Sequence, residues 1–226
     1  MLQDVVIKAA LYAIPLLFAV VAHEVAHGWV AEKLGDPTAR LMGRLTLNPI
    51  VHIDPLGTII LPLVLILIQS PFLFGWAKPV PVNFANLRGG RRDMALVAMS
   101  GPVTNLLLAG VSAGIYHFLL AGFQHGWIAD RSWFAWVAEP MFLMARISIS
   151  FNLVLMAFNL IPILPLDGGR IMVGLLPGPL AFQLERSERY GMLIFLLLIG
   201  IPLLRSYLWG YFLNPIVNTF MRLFLG

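Results

Sequence analysis

Two histidines four residues apart, with a glutamate beside the first, lie inside an otherwise apolar run of Ala, Val, Leu, Phe and Ile: His23, Glu24 and His27 in HEVAH. On a helix, side chains at i and i+4 share a face with their Cβ atoms about 6 Å apart. Both imidazoles then reach one zinc ion at about 2.0 Å from each nitrogen. Glu24 flanks that face, where a carboxylate takes a proton from water activated by the metal. The chain has five His and five Glu in 226 residues. Random placement would give this pattern in roughly one such sequence in several hundred. The plainer reading is a buried polar cluster that pins helices together, but ionisable groups at such depth are destabilising unless paired.

Two histidines do not complete a catalytic zinc site, which takes three protein ligands and keeps a fourth position for water or substrate. The chain has no cysteine, so the third ligand must be His, Asp or Glu. His52 lies in the loop after the first apolar run, whereas His117 and His125 fall toward the opposite end of their own run. Asp167 is the better candidate, a lone carboxylate among Leu, Ile and Pro in NLIPILPLDGGR, from Asn159 to Arg170. A carboxylate in such surroundings needs a cation. Pro162, Pro165, Gly168 and Gly169 break the helix around it, which membrane depth tolerates only where protein or a watery cavity lines the freed backbone. Two other readings of Asp167 stay open: it caps the helix that follows, or it pairs with Arg170.

The elements that must position these residues follow from composition. Hydrophobic residues make up 59% of the chain and charged residues 12%, and the mean hydropathy is +0.86. Soluble domains do not reach such values. A bilayer core about 30 Å thick needs roughly 20 apolar residues per helix, so the length gives room for about four to six spans. Apolar runs at 5–33, 56–75, 94–122, 134–164, 191–204 and 207–225 predict an all-α polytopic membrane protein with five to six hydrophobic segments, residues 1–226 forming one membrane-embedded domain. The run 56–75 contains Pro62 and Pro71 and reads as a re-entrant element. Between Leu34 and Asp54, the alternating stretch Arg40 to Leu47 among Gly35, Pro37, Gly43 and Pro49 predicts a short β-like strand pair.

The net charge of +4 and a pI near 9.8 come from basic residues in short stretches rather than one patch, which argues for membrane orientation and against a nucleic-acid partner. Lys33, Arg40 and Arg44 in one loop, and Lys78, Arg88, Arg91 and Arg92 in the next, place both in the cytoplasm. The first run and the 134–164 run then end at the same face, and HEVAH and Asp167 meet near it. His23 and His27 precede the first loop by about 9 to 15 Å of helical rise. The first run carries HEVAH, which no cleaved signal peptide would have.

HEVAH, GPVTN from Gly101 to Asn105, and NLIPILPLDGG, in this order, resemble the site-2 protease family of intramembrane zinc metalloproteases. NPIVHIDPLGT and GWAKPVPVN extend the resemblance, which runs from about Ala22 to Arg170. It implies one zinc per chain on His23, His27 and Asp167, Glu24 as general base, and a transmembrane segment of another protein as substrate. Asn159 matches a family position near the metal and is implied to orient the substrate or the oxyanion. Gly101 and Asn105 match the GPxxN element, implied to pack and shape the cleft, with a plain interhelical hydrogen bond by Asn105 as the alternative. The chain looks like a short bacterial or archaeal form of the prokaryotic plasma membrane, with no additional span before HEVAH and no PDZ or nucleotide-sensing domain.

A helical substrate hides its carbonyls in its own hydrogen bonds and must unwind, so the Arg40 to Leu47 stretch is expected to hold it by strand addition. The rival from another class is a membrane metal-ion transporter, because intramembrane His, Glu and Asp also line ion pathways. A catalytically inactive homologue that binds membrane helices is a third reading, against which the intact HEVAH and Asp167 argue. These motifs do not specify the oligomeric state or the identity of the substrate.

Overall fold

The computed structural model describes residues 2–68, 75–128 and 133–226. Helix α1 (Leu2–Leu34) carries HEVAH in its last third. It stops where Gly35 takes φ 117°; Gly35 N–H donates to the Glu32 carbonyl and Asp36 N–H to that of Ala31. This paired closure satisfies the last free carbonyls and needs a residue without Cβ. Helix α2 (Thr38–Leu41) follows, then short turns at Pro49–His52 and Pro55–Ile60 and helix α3 (Leu61–Leu67). Beyond an irregular strap at 75–83 lie α4 (Arg91–Gln124) and α5 (Trp133–Asn159), then α6 (Asp167–Leu175), α7 (Gly178–Gly200), α8 (Pro202–Tyr207), a π-helical turn at Leu208–Leu213 and α9 (Asn214–Leu225).

Helices α1, α4 and α5 are long and apolar enough to cross a membrane and pack pairwise against each other. Their buried residues are rich in alanine, with Ala19, Ala31, Ala98, Ala109, Ala135, Ala145 and Ala157 all buried. Small residues let helix backbones approach where lipid offers no hydrophobic drive for association. Phe18, Leu107, Val111 and Phe118 face outward. The chain is a membrane protein.

Among the described residues three helices suffice to span, or four if α7 and the segment from Pro202 to Leu225, bent by 85° at their junction, make one broken span. Of the expected five to six hydrophobic segments, three to four are thus long enough to span among the described residues. Two apolar runs, 191–204 and 207–225, are largely the arms of that bent pair, since Pro202 removes a helical N–H at the bend. In the run 56–75, the described helical pieces Pro55–Ile60 and Leu61–Leu67 have six and seven residues, short of the roughly 20 a span needs. Residues 69–74, with Pro71, lie outside the described part.

The β-like reading of Arg40 to Leu47 needs correction, because no strand occurs among the described residues. Arg40 and Leu41 belong to α2, and Gly43 turns the chain at φ 64°. Arg44 is buried; its guanidinium donates to the carbonyls of Val51, of Lys78 at 2.8 Å and of Pro79 at 3.3 Å. Those carbonyls are therefore occupied by a side chain instead of a neighbouring strand. The strap opposite holds Pro79 and Pro81, which have no N–H to give a ladder. Strand addition at Arg40 to Leu47 loses its structural basis.

The strap is tied down at its far end by Asp36, which is fully buried. Its carboxylate accepts from Asn83 N–H at 2.7 Å, Asn86 Nδ2 at 2.8 Å and Thr38 N–H at 3.2 Å. Burial alone would raise its pKa, but the bonds from Thr38, Asn86 and Asn83 outweigh that and hold it below the ordinary 3.8. A carboxylate with a lowered native pKa adds stability that is complete above its unfolded value and is lost as pH falls through the native one. An Asp36→Asn protein should therefore melt below wild type at neutral pH, and the gap should close as pH drops below 3.8. Melting curves between pH 7 and pH 3 check this (~ranges set by the unfolded value).

Candidate metal centre

HEVAH lies on the part of α1 that faces α4, and Asp167 opens α6 directly after the broken stretch Leu160 to Leu166. That stretch is built on glycines. A Cβ at Gly168 would stand 2.3 Å from the Leu160 carbonyl oxygen, and one at Gly169 would stand 2.5 Å from Leu164 N. A Cβ at Gly191 of α7 would meet the Leu164 carbonyl oxygen. Close backbone approach thus fixes the loop from two sides and aims Asp167 back at α1.

Asp167 Oδ2 lies 3.1 Å from His23 Nε2 and 3.3 Å from His27 Nε2, and the two Nε2 atoms are 3.0 Å apart. Three ligand atoms around a tetrahedral ion with bonds of about 2.0–2.1 Å stand about 3.3 Å from one another. The observed triangle is of that size. Its protonation also fits a cation. His23 Nδ1 faces Asn105 Oδ1 at 2.6 Å and His27 Nδ1 faces the Val97 carbonyl at 2.8 Å, both acceptors. Each ring in its neutral form therefore donates from Nδ1 and leaves a lone pair on Nε2. Asp167 Oδ2 is buried with no hydrogen-bond donor. With both rings neutral, two lone pairs and a carboxylate oxygen converge on one point, an arrangement that a metal cation would satisfy. No other group of three or more such ligand residues occurs among the described residues.

The two other readings of Asp167 find no support in this geometry. It lies inside the first turn of α6, after the N-cap position, and its Oδ2 accepts no backbone N–H. Arg170 instead pairs with Glu188 at 2.7 Å and lies over the Phe84 ring at 4.6 Å.

Glu24 is outside the triangle. Its Oε2 accepts from Val80 N–H at 2.8 Å, so the strap is pinned to the helix beside the two imidazoles. Gly28, one turn on, makes room: a Cβ there would be 2.6 Å from Leu45 and 2.7 Å from Val80. Asn159 does not join the cluster, since its Nδ2 donates to the Leu155 carbonyl of its own helix at 3.0 Å. His52 is buried, with Nε2 against the Thr46 carbonyl at 2.9 Å. His117 Nε2 meets the Phe224 carbonyl at 2.8 Å, and His125 stacks on Trp127. A cavity between α4 and α5 is lined by apolar residues such as Val111, Phe118, Phe134 and Met141 and has no chemistry to offer.

Gly101 acquires a sharper role than packing. A Cβ there would come within 2.5 Å of His23 Cε1 and of His27 Nε2. Gly101→Ala should therefore displace both rings and weaken metal binding by about 10- to 100-fold, the range for lost groups that orient ligands. Competition against a chelator measures this, and an unchanged affinity would show that the rings have room. The sequence signal was already present in GPVTN, but nothing in it says that a helix presses on Gly101 with two imidazoles.

Helices that cross a membrane, an HExxH pair on one of them and a distant carboxylate closing on the same point define a membrane metalloprotease site. A Bacillus subtilis protein named as a candidate zinc metalloprotease, YwhC, is 40% identical over 212 residues, which cover 93% of this chain and 89% of that protein. Rip2 of Mycolicibacterium smegmatis, named likewise, is 25% identical over 191 residues, or 84% of this chain and 67% of its own length. Rip2 of Mycobacterium tuberculosis is 27% identical over 198 residues, 86% of this chain and 68% of its own. No protein-family model matches the chain, and no solved structure does. The chain belongs to the site-2 protease family of metalloproteases, to which these relatives bring it.

Proposed function

We propose that this chain is an intramembrane zinc metalloendopeptidase of the site-2 type, hydrolysing peptide bonds within or near transmembrane segments of other membrane proteins. Residues 1–226 act as one membrane-embedded protease domain. The reading rests on one observation above the others: two imidazole nitrogens and a carboxylate oxygen within 3.3 Å of each other, the imidazoles on a helix long and apolar enough to cross a membrane. One zinc on His23, His27 and Asp167 agrees with the zinc metalloprotease names of the relatives. Exposed Lys33, Arg40, Arg88, Arg91 and Arg92 cluster in chain position around the end of α1 and the start of α4, which supports an active site near the cytoplasmic face of the cell membrane.

Zinc in this position supplies Lewis acidity, polarising a carbonyl and making water a nucleophile at neutral pH. The chain's own residues do the rest. Val80 N–H holds Glu24 Oε2, which leaves Oε1 as the atom to take a proton from the attacking water and return it to the leaving amide nitrogen. Packing of α1 against α4 and α5 buries His23. Asn159, implied to orient the substrate or oxyanion, gives one amide proton to the Leu155 carbonyl and has a second to offer.

The test is metal removal. The purified chain should hold one zinc and cleave a membrane-helix reporter; a strong chelator should remove both properties, and added zinc should restore them. Undiminished cleavage by a chain stripped of metal would sink the proposal.

A further inference from the structure

Behind His23 runs a row of uncharged polar side chains, most of them buried, that hold no metal and touch no substrate. Asn105 of α4 is 0% exposed and Asn152 of α5 is 1%. Asn105 Oδ1 accepts from His23 Nδ1 at 2.6 Å, while its Nδ2 donates to the Ala19 carbonyl at 3.2 Å and to Asn152 Oδ1 at 2.9 Å. Asn152 Nδ2 in turn donates to the Ser148 carbonyl at 2.9 Å and to Ser148 Oγ at 3.1 Å. Ser112 Oγ closes the row on Ser148 Oγ at 2.8 Å.

The direction of every link is forced from its far end. A backbone carbonyl only accepts, so the Ser148 carbonyl turns the amide nitrogen of Asn152 toward itself and its oxygen toward Asn105. Asn105 must then present nitrogen to Asn152, as it must to the Ala19 carbonyl, and oxygen to His23. An oxygen at that position requires the His23 proton on Nδ1. The reverse amide orientation would set the Asn105 and Asn152 oxygens against the Ala19 and Ser148 carbonyl oxygens in a buried site, where unsatisfied polar groups are costly.

We propose that Asn105 and Asn152 are positioning residues that hold His23 in the tautomer with its proton on Nδ1, so that the Nε2 lone pair always faces Asp167 and His27. Helix α5 supplies no ligand, yet through Asn152 it sets how tightly the site binds metal. This inference rests on the reading of His23 as a zinc ligand.

Three substitutions in the full-length chain test it: Asn105→Leu, Asn105→Asp and Asn152→Leu. Nitrogen-15 NMR of histidine-labelled, metal-free protein reads the His23 tautomer; chelator competition reads zinc affinity; melting temperature reads stability. Asn105→Leu should lose zinc affinity by about 10- to 100-fold, as loss of a group hydrogen-bonded to a ligating histidine does elsewhere, and its His23 should show both tautomers. Asn105→Asp still accepts from Nδ1 and should keep most of the affinity, although a buried carboxylate lowers its melting temperature more than Leu does. Asn152→Leu should fall between wild type and Asn105→Leu, because the Ala19 carbonyl still holds the Asn105 amide.

A purely structural role predicts the opposite order, with zinc affinity following melting temperature, and that result overturns the proposal. So does an Asn105→Leu protein with wild-type tautomer and affinity. Should Asn105→Leu fail to fold, Asn152→Leu decides, and an unchanged tautomer and affinity there overturn it equally. A chain that binds zinc through His23 but cleaves no reporter would end the protease reading and leave this one standing, so the two failures are distinct.

Discussion

Glu24→Gln is expected to reduce cleavage by about 100- to 10,000-fold, the contribution of a positioned general base, while zinc per chain stays at the wild-type value. The amide is isosteric with the carboxylate and still offers an oxygen to Val80 N–H, the contact that ties the strap to α1. The fold therefore has no reason to change. What disappears is the ability to accept a proton at neutral pH, since a carboxamide does not titrate in that range. Glu24 also lies outside the triangle of His23, His27 and Asp167, so zinc retention is the natural control. Assays of one membrane-helix reporter with both proteins, normalised to bound zinc, give the comparison. Normal cleavage by the Gln protein would transfer the base to another residue. A transporter would respond differently, with altered ion flux and no proteolysis to lose.

Asp167→Asn should have its largest effect on the metal. An amide oxygen is a far weaker ligand than a carboxylate and brings no negative charge, so affinity should fall by more than the roughly 100-fold that loss of an orienting group can cost. Stability should respond in a distinctive way. In the metal-free chain Asp167 Oδ2 faces His23 Nε2 at 3.1 Å and His27 Nε2 at 3.3 Å, close enough for a proton on either ring to bridge them. The metal-free Asp167→Asn chain should therefore melt below metal-free wild type. Adding zinc should raise the wild-type melting temperature alone, since a ligand at 1,000 times its dissociation constant stabilises the native state by about 4 kcal/mol. Melting curves of both proteins with and without zinc settle the matter. Equal zinc-induced shifts in the two would remove Asp167 from the ligand set.

Both substitutions act on groups that the sequence singled out, whereas the residues that hold those groups in place were far less legible. Asn105 looked equally like an interhelical contact and a family element, and only the distance of 2.6 Å to His23 Nδ1 shows that its contact is with an imidazole. Val80 gave no signal, because its part is played by a backbone N–H that any residue except proline would have. Arg44 was read as part of a strand and a marker of orientation; it is a buried clamp on three carbonyls. The bend at Pro202 was visible as a proline between two apolar runs, but its 85° angle follows from packing of α9 on α5 and α4.

The sequence by itself determined the membrane character of the chain and the placing of His23 and His27 on one helix face. Both follow from local rules: apolar composition sets the preferred solvent, and a helical period of 3.6 residues brings i and i+4 together wherever the helix lies. Only the tertiary structure separates the readings of Asp167, since capping and pairing with Arg170 stayed open beside the favoured reading, a carboxylate that joins the imidazoles. It chose by taking Arg170 to Glu188 and by bringing α1 to within 3.3 Å of a carboxylate 140 residues further along the chain. Which partners remain for a buried charge depends on every other contact in the fold, and that information resides in no single segment.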